Sequence, residues 1–323
     1  ARESCEALGE KAEQVEVLLA LGGNVLWQQG AYEAARARLQ EALLAARELS
    51  LPRSVARALH GLANLDLYQG DLDAARVRFE ESLATRREVG DRLGIANALN
   101  NLGRVAASKG DRDRARQLFE ESLGIRREIG DRAGTAVALN NVGFMAADQG
   151  DTDAAHELYV ESMSLRRELG DLLGTAVTLN SLGQLHRERG ELEQAEHSFR
   201  ESLKLAYEIG NVREAAAALS GVAAVVAQRA NGSAGANGTG SASDAYAHAA
   251  ALAAAAAARF SDLGAVMEAE VREMNDAALA YARAALDDAT YAGAVRAGER
   301  MTLAAAVTVV YRRTGDVATS PSD

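Results

Sequence analysis

The sequence predicts an all-α protein in which about six helix pairs stack in tandem and are followed by a C-terminal helical cap. A fixed period of 40 residues is the first reason, because five glycines fall on one register: Gly30, Gly70, Gly110, Gly150 and Gly190. A constant period of this size is typical of repeat architectures. Composition is the second reason, since the chain has only two prolines and 4% aromatic residues. Little in it would interrupt a helix.

The repeating unit is clearest in residues 91–130, which return with few changes as residues 131–170. Within this unit Leu99 and Leu102 belong to an apolar pattern at helical spacing. That pattern predicts a first helix over about residues 94–108.

A glycine and an aspartate separate the two helices of each unit. Gly110 is expected to end the first helix in the left-handed conformation, which glycine adopts without steric cost. Asp111 is expected to cap the next helix, because its carboxylate can accept the free N–H groups of the first turn. The second helix then runs to about Glu128, so each unit is an antiparallel helix pair.

The register divides the chain into segments. Residues 1–229 form the array, with repeats at about 11–49, 54–90, 94–130, 134–170 and 174–210 and the first helix of a sixth at 212–229. The register then fails at residues 230–243, whose Gly, Ser and Asn content predicts a flexible loop. Residues 244–262 are expected to be the second helix of the sixth repeat. Residues 264–313 are expected to form the helical cap, and residues 314–323 a disordered tail.

The spacing inside the unit resembles the tetratricopeptide pattern, in which Leu-Gly is followed by Ala twelve residues after the Gly and by Phe four residues later. Gly103, Ala115 and Phe119 fit this spacing. The 40-residue length is similar to repeats of the Pins/LGN and kinesin light chain type. HEAT repeats have a similar length but would not place Gly, Ala and Phe at these offsets. The resemblance implies a right-handed α–α superhelix whose first helices line a concave surface that binds a protein or peptide.

The C-terminal stretch, residues 282–307, resembles the end of large bacterial regulators that combine an effector domain, a STAND-type ATPase and a tetratricopeptide array. Tyr291, Gly298, Met301 and Leu303 keep the spacing of that ending. The resemblance implies a C-terminal sensor and interaction module of a STAND-type or LuxR-like transcriptional regulator. Its partners would be a protein or peptide and an upstream nucleotide-binding domain of the same full-length protein. The alternative hypothesis is a free-standing tetratricopeptide adaptor or peptide receptor.

Candidate ligand contacts are the first-helix residues that lie outside the apolar pattern and recur at one helical face. They are Arg57, Asn64, Asn97, Asn101, Arg104, Asn141, Phe144, Ser181 and Gln184. A neighbouring ladder forms a second and weaker set: His60, Asn100, Asn140 and Asn180. Carboxamides offer a donor and an acceptor to an extended peptide, and the resemblance gives that role to Asn101 and Asn141. The alternative is that these asparagines bond the adjacent repeat.

Paired arginines end each second helix, as at Arg126–Arg127. Cations at a helix C-terminus interact favourably with the helix dipole. The second arginine, Arg127, also lies four residues before Asp131, the spacing of a helical ion pair. These arginines are therefore expected to be structural.

Other function classes have little support in the sequence. A net charge of -11 disfavours direct binding of nucleic acid. The five histidines and the single cysteine, Cys5, show no metal-ligand spacing, and no phosphate-binding GxxxxGK[ST] motif occurs. We therefore expect no catalytic residue, no cofactor, no metal and no membrane segment, and a cytoplasmic location. The chain begins at Ala1 inside a helical pattern, which suggests a fragment of a longer protein.

Overall fold

Helices with short turns between them account for all of the regular structure in residues 2–26, 30–233 and 239–312, which the computed structural model describes. The helices are α1 (Arg2–Ala20), α2 (Tyr32–Glu48), α3 (Pro52–Tyr68), α4 (Leu72–Glu88), α5 (Arg92–Ser108), α6 (Arg112–Glu128), α7 (Arg132–Asp148), α8 (Thr152–Leu169), α9 (Leu172–Glu188), α10 (Leu192–Glu208), α11 (Val212–Ser233), α12 (Thr239–Asp262), α13 (Ala269–Ala285), α14 (Asp288–Glu299) and α15 (Leu303–Arg312). A five-residue π-helical turn, Leu21–Val25, follows α1. The all-α prediction is confirmed, while the expected disordered tail, residues 314–323, lies outside the described residues.

The predicted turn chemistry is present between α5 and α6. Gly110 has a φ of +79°, a backbone conformation that glycine adopts without the Cβ clash of other residues. Asp111 accepts a hydrogen bond from the backbone N–H of Arg114 at 3.2 Å through Oδ1. Because only three residues separate α5 from α6, and both contribute to one core, the two helices run antiparallel.

The chain forms two compact units, residues 1–145 and residues 146–323. In the N-terminal unit, an aromatic side chain of α6 packs where α5 has a glycine. A Cβ on Gly103 would lie 2.6 Å from Cε1 of Phe119. Phe119 is 3% exposed and Phe79 is fully buried. The glycine is therefore required for the close approach of α5 and α6.

The C-terminal unit also packs glycines against a buried aromatic ring, and its core is rich in alanine. A Cβ on Gly183 would lie 2.8 Å from Cδ1 of Phe199, and one on Gly221 would overlap the same ring. Its largest apolar cluster combines Phe199 with buried alanines such as Ala223 and Ala253. Small residues let α10, α11 and α12 pack closely.

The predicted loop at residues 230–243 is wrong at both ends. Helix α11 continues to Ser233, and α12 begins at Thr239. Ala230 and Tyr246 are buried in one cluster, against which Ala242 also packs. Alanine has the highest helix propensity, and burial adds to it, so the two helices extend into a segment whose Gly and Ser content suggested flexibility. The rest of the predicted loop, residues 234–238, lies outside the described residues.

Candidate functional site

The predicted contact residues of the N-terminal unit lie on the solvent-facing side of α3, α5 and α7. Arg57 and Arg104 are exposed, and the other members are half-buried, whereas the apolar residues between them, such as Leu59 and Leu99, are buried. We call this set the N-terminal stripe: Arg57, Asn64, Asn97, Asn101, Arg104, Asn141 and Phe144.

Hydrogen bonds join the stripe to the second candidate ladder across repeats. Asn101 donates through Nδ2 to Oδ1 of Asn64 at 3.1 Å, and the same atom lies 3.2 Å from Nε2 of His60. Asn141 donates through Nδ2 to Oδ1 of Asn100 at 2.7 Å. Each bond therefore links a first helix to the first helix of the next repeat.

These contacts give Asn101 and Asn141 a structural role, which is the alternative that the sequence left open. They do not use the whole carboxamide. Among the residues that the structure describes, Oδ1 of Asn101 and Oδ1 of Asn141 accept no hydrogen bond. An amide has one acceptor oxygen with two lone pairs, so both side chains can still accept N–H groups from a ligand.

His60 occupies the most enclosed position of the ladder. Its ring packs edge-on against Phe79, with 5.2 Å between the ring centroids, and Nδ1 is buried without a hydrogen-bond partner. Burial, together with the nearby positive charge of Arg86, lowers the pKa of His60 to about 4. His60 is therefore neutral at physiological pH.

Two other predicted contacts are engaged within the N-terminal unit. Arg57 forms an ion pair with Glu16 of α1, and Glu16 also accepts a hydrogen bond from Ser54. Asn97 accepts a hydrogen bond at its Oδ1 from Nη2 of Arg126 at 2.6 Å. The structure thus assigns Asn97 to the support of a buried arginine, a role that its position in the sequence did not reveal.

In the C-terminal unit the predicted contacts on α9 are Asn180, Ser181 and Gln184. Ser181 donates to the backbone oxygen of Val177 at 3.3 Å. Gln184 donates to Oε1 of Glu188 at 2.5 Å. All three contacts are half-buried. Asn180 bonds Glu214, a residue that the sequence did not single out.

A buried arginine motif is the main feature that the sequence reading missed. Arg86, Arg126 and Arg166 are each 6% exposed. In the best-connected copy, Arg126 donates from Nε to Oγ of Ser122 at 3.3 Å and from Nη1 to Oδ2 of Asp131 at 2.5 Å. A Cβ on Gly134 would overlap Nη1 of the same arginine.

The expected pairing of the second arginine with the aspartate is therefore wrong. The first arginine lies four residues after a buried serine, which places it on the inner face of the helix. The second arginine faces outward, and Arg87 forms its ion pair with Glu121 of the next repeat at 3.1 Å. The spacing of Ser122 and Arg126 could have revealed the motif.

Comparison of the sequence with models of protein families identifies the family of this chain. The tetratricopeptide repeat model matches residues 14–88, 54–128 and 134–208, which together are more than half of the chain. The chain belongs to the tetratricopeptide repeat family. No curated protein is significantly similar to it in sequence.

Solved structures share this fold at low sequence identity. BtubC (BKLC) from P. vanneervenii has a TM-score of 0.56 and 18% identity, covering 72% of this chain and 92% of that chain. A Rap protein complexed with competence and sporulation factor has a TM-score of 0.58 and 14% identity, covering 86% and 75%. A STAND protein with a tetratricopeptide repeat sensor from Pyrococcus horikoshii has a TM-score of 0.59 and 16% identity, covering 84% and 41%. At these identities the likeness concerns the fold alone.

The described residues contain no group of three or more His, Cys, Asp and Glu side chains placed to hold a metal ion. No helix in the described ranges combines the length and apolar character needed to cross a membrane.

Proposed function

We propose that this tetratricopeptide array is a non-catalytic binding module that recognises an extended peptide or protein segment along the N-terminal stripe. Family membership supports a protein-binding scaffold. The observation that carries the peptide assignment is the pair of free carboxamide oxygens on Asn101 and Asn141. They stand one repeat apart and can each accept a backbone N–H.

The rest of the stripe suits a peptide chain. Phe144 is half-buried and offers an apolar surface between polar neighbours. Outside the stripe, but four residues after Asn64 on α3, Tyr68 is 55% exposed, and its ring stacks at a tilt on Tyr32, with 4.6 Å between the centroids. Exposed aromatic side chains contribute large contact areas in recognition surfaces. Donors, acceptors and aromatic faces together match a mixed peptide better than a small apolar ligand.

As part of the same proposal, the module is the sensor arm of a larger STAND-type or LuxR-like regulator. Residues 282–307 resemble the ending of such proteins. The fold is also shared with a STAND protein whose tetratricopeptide region is described as a sensor, and this chain spans 41% of that protein. A Rap protein of similar fold was solved with a peptide factor. A free-standing adaptor is the second candidate, and the gene sequence immediately upstream of Ala1 separates the two. A nucleotide-binding domain in the same reading frame supports the regulator, whereas a start codon at this point supports the adaptor.

Selection of peptides from a random display library on the immobilised chain tests the binding function. We expect the double variant Asn101→Ala, Asn141→Ala to weaken the best selected peptide by about thirtyfold, because the two lost hydrogen bonds contribute about 1 kcal/mol each. Gln117→Ala, which removes an exposed carboxamide from α6, is the matched control and should bind normally. Loss of stability in the double variant with unchanged affinity would assign both asparagines to structure alone.

A further inference from the structure

The C-terminal unit contains one turn between repeats in which the buried arginine is missing. Ala206 and Asn211 stand where Arg166 and Asp171 stand one repeat earlier. Glu214 stands where that repeat has Gly174, the glycine that leaves room for the arginine. The internal cation has therefore been removed and a carboxylate introduced at the same turn.

The carboxylate of Glu214 has no cation of its own. Its Oε1 accepts a hydrogen bond from Nδ2 of Asn180 at 2.5 Å. The neighbouring Arg213 pairs with Glu268 instead. Within the described residues no Lys, Arg or His lies within ion-pair distance of Glu214. Burial raises its pKa and the bond from Asn180 opposes this shift, while the charge of Glu268 raises the pKa further and the charge of Arg213 lowers it.

The carboxamide of Asn180 adds a second acceptor at the same place. Its Oδ1 is buried and has no hydrogen-bond partner in the described residues. Buried polar atoms of proteins are rarely left unpaired, and an unpaired one calls for an explanation. Because Nδ2 of this carboxamide is bonded to Glu214, its Oδ1 lies close to the carboxylate. This site therefore offers two acceptor groups, and the Nδ2 donor of Asn180 is already bonded to Glu214.

We propose that Glu214 and Asn180 form an acidic notch that binds the basic side chain, arginine or lysine, of a peptide recognised by the C-terminal unit. Both residues are half-buried, so part of each is open to solvent, although Oδ1 of Asn180 itself is buried. A guanidinium or ammonium group supplies several N–H donors and the missing positive charge. In effect the ligand would provide the cation that Arg166 provides internally one repeat earlier. The proposal rests on the proposed function of the array as a peptide-binding module, and it adds a second contact site, in the C-terminal unit, with a preference for a basic residue.

The test uses peptides selected on the full chain by library display. Each selected basic peptide is compared with a copy in which arginine or lysine is replaced by uncharged norleucine, and the dissociation constants are measured by calorimetry. On the unaltered chain we expect at least one basic position whose replacement weakens binding by about tenfold or more, as for enclosed charge pairs. In Glu214→Gln this ratio should fall to near one, while Glu193→Gln, an exposed carboxylate of α10, should keep it.

A second variant distinguishes loss of the notch from a folding defect in Glu214→Gln. The triple change Ala206→Arg, Asn211→Asp, Glu214→Gly rebuilds the internal arginine motif of the earlier repeat, and it should abolish the basic preference while circular dichroism shows a folded chain. If peptides are selected without any basic preference, or if the preference survives in Glu214→Gln, the notch is contradicted while the peptide-binding function stands. If the chain selects no peptide at all, both proposals fail.

Discussion

Arg126 donates to Asp131 at 2.5 Å, and its Nη1 lies where a side chain on Gly134 would begin. The same guanidinium also donates to Asn97 at 2.6 Å. One buried cation therefore ties the end of α6, the turn after it and the neighbouring helix α5 together. The ion pair with the turn aspartate is repeated at Arg86 and Arg166, whereas the bond to Asn97 belongs to this copy, because Arg57 and Val137 stand at the equivalent positions.

Replacing Arg126 with methionine should lower the free energy of unfolding of the N-terminal unit by roughly 2–4 kcal/mol. The change keeps much of the side-chain volume but leaves Asp131 and Asn97 without their donor, and truncating one member of a buried pair is costly. Urea denaturation followed by circular dichroism gives the measurement. Arg127→Met, its exposed neighbour, is the control and should cost less than about 0.5 kcal/mol. Equal losses of unfolding free energy in the two variants would show that the buried contacts of Arg126 stabilise the unit no more than those of an exposed arginine.

Gly134→Ala should also destabilise, because its Cβ would overlap Nη1 of Arg126. The sequence shows that the arginine and the glycine are absent together. The two turns with alanine in place of the arginine, Ala46 and Ala206, have Ser54 and Glu214 in place of the glycine. In the double variant Arg126→Ala, Gly134→Ala, the cost should be smaller than the sum of the two single costs by about 1 kcal/mol or more. Strictly additive costs would mean that Gly134 is not needed to make room for the side chain of Arg126.

Gly103→Val should overpack the contact between α5 and α6, where Phe119 already lies 2.6 Å from the position of a Cβ. Overpacking of a close-packed core costs roughly 1–3 kcal/mol. Gly124→Val provides a comparison, because a Cβ on Gly124 meets nothing within 4 Å and only the small helix-propensity change of an exposed site applies. A Gly103→Val variant as stable as the parent chain would contradict the close approach of these helices.

Stability should depend on pH through His60. Its pKa is about 4 in the folded chain against an ordinary value near 6.5, so the folded state favours the neutral ring. The stabilisation is complete above pH 6.5 and is lost as the pH falls from 6.5 toward 4, by about 2 kcal/mol between pH 7 and pH 5. His60→Asn is the matched variant, because asparagine occupies this position in three other repeats. The variant should flatten the profile between pH 7 and pH 5, and an unchanged profile would refute the role of His60.

Local patterns predicted the parts of the fold that depend on local chemistry. Gly110 and Asp111 could be recognised because turn and cap residues act within a few positions of each other. Phe119 and Gly103 could be paired because the repeat fixes the contact between adjacent helices. The inner position of Arg126 was missed because charged residues are rarely buried without a partner, and the partner Asp131 lies beyond the helix end. Residues 230–243 were misjudged because their Gly and Ser content concealed the packing of Ala230 and Ala242.

The candidate site could be predicted only in part. The resemblance to tetratricopeptide repeats singled out Asn101 and Asn141, and helical spacing placed the stripe outside the apolar side of the helices. It could not show that their Nδ2 atoms bond His60 and Asn100 in the preceding repeat, because such contacts depend on how one helix pair lies against the next. Glu214 could be recognised only as a departure from the pattern of Gly94, Gly134 and Gly174.

The central claim, that the stripe binds a peptide through free carboxamide oxygens, is tested most directly by nuclear magnetic resonance on chain labelled with ¹⁵N at asparagine. A peptide selected by display is titrated into this sample. We expect the side-chain amide signals of Asn64, Asn101 and Asn141 to shift in proportion to occupancy. The signal of Asn275, which is 3% exposed in the C-terminal unit, should stay unchanged. Saturable peptide binding that leaves the signals of Asn101 and Asn141 in place would contradict the account.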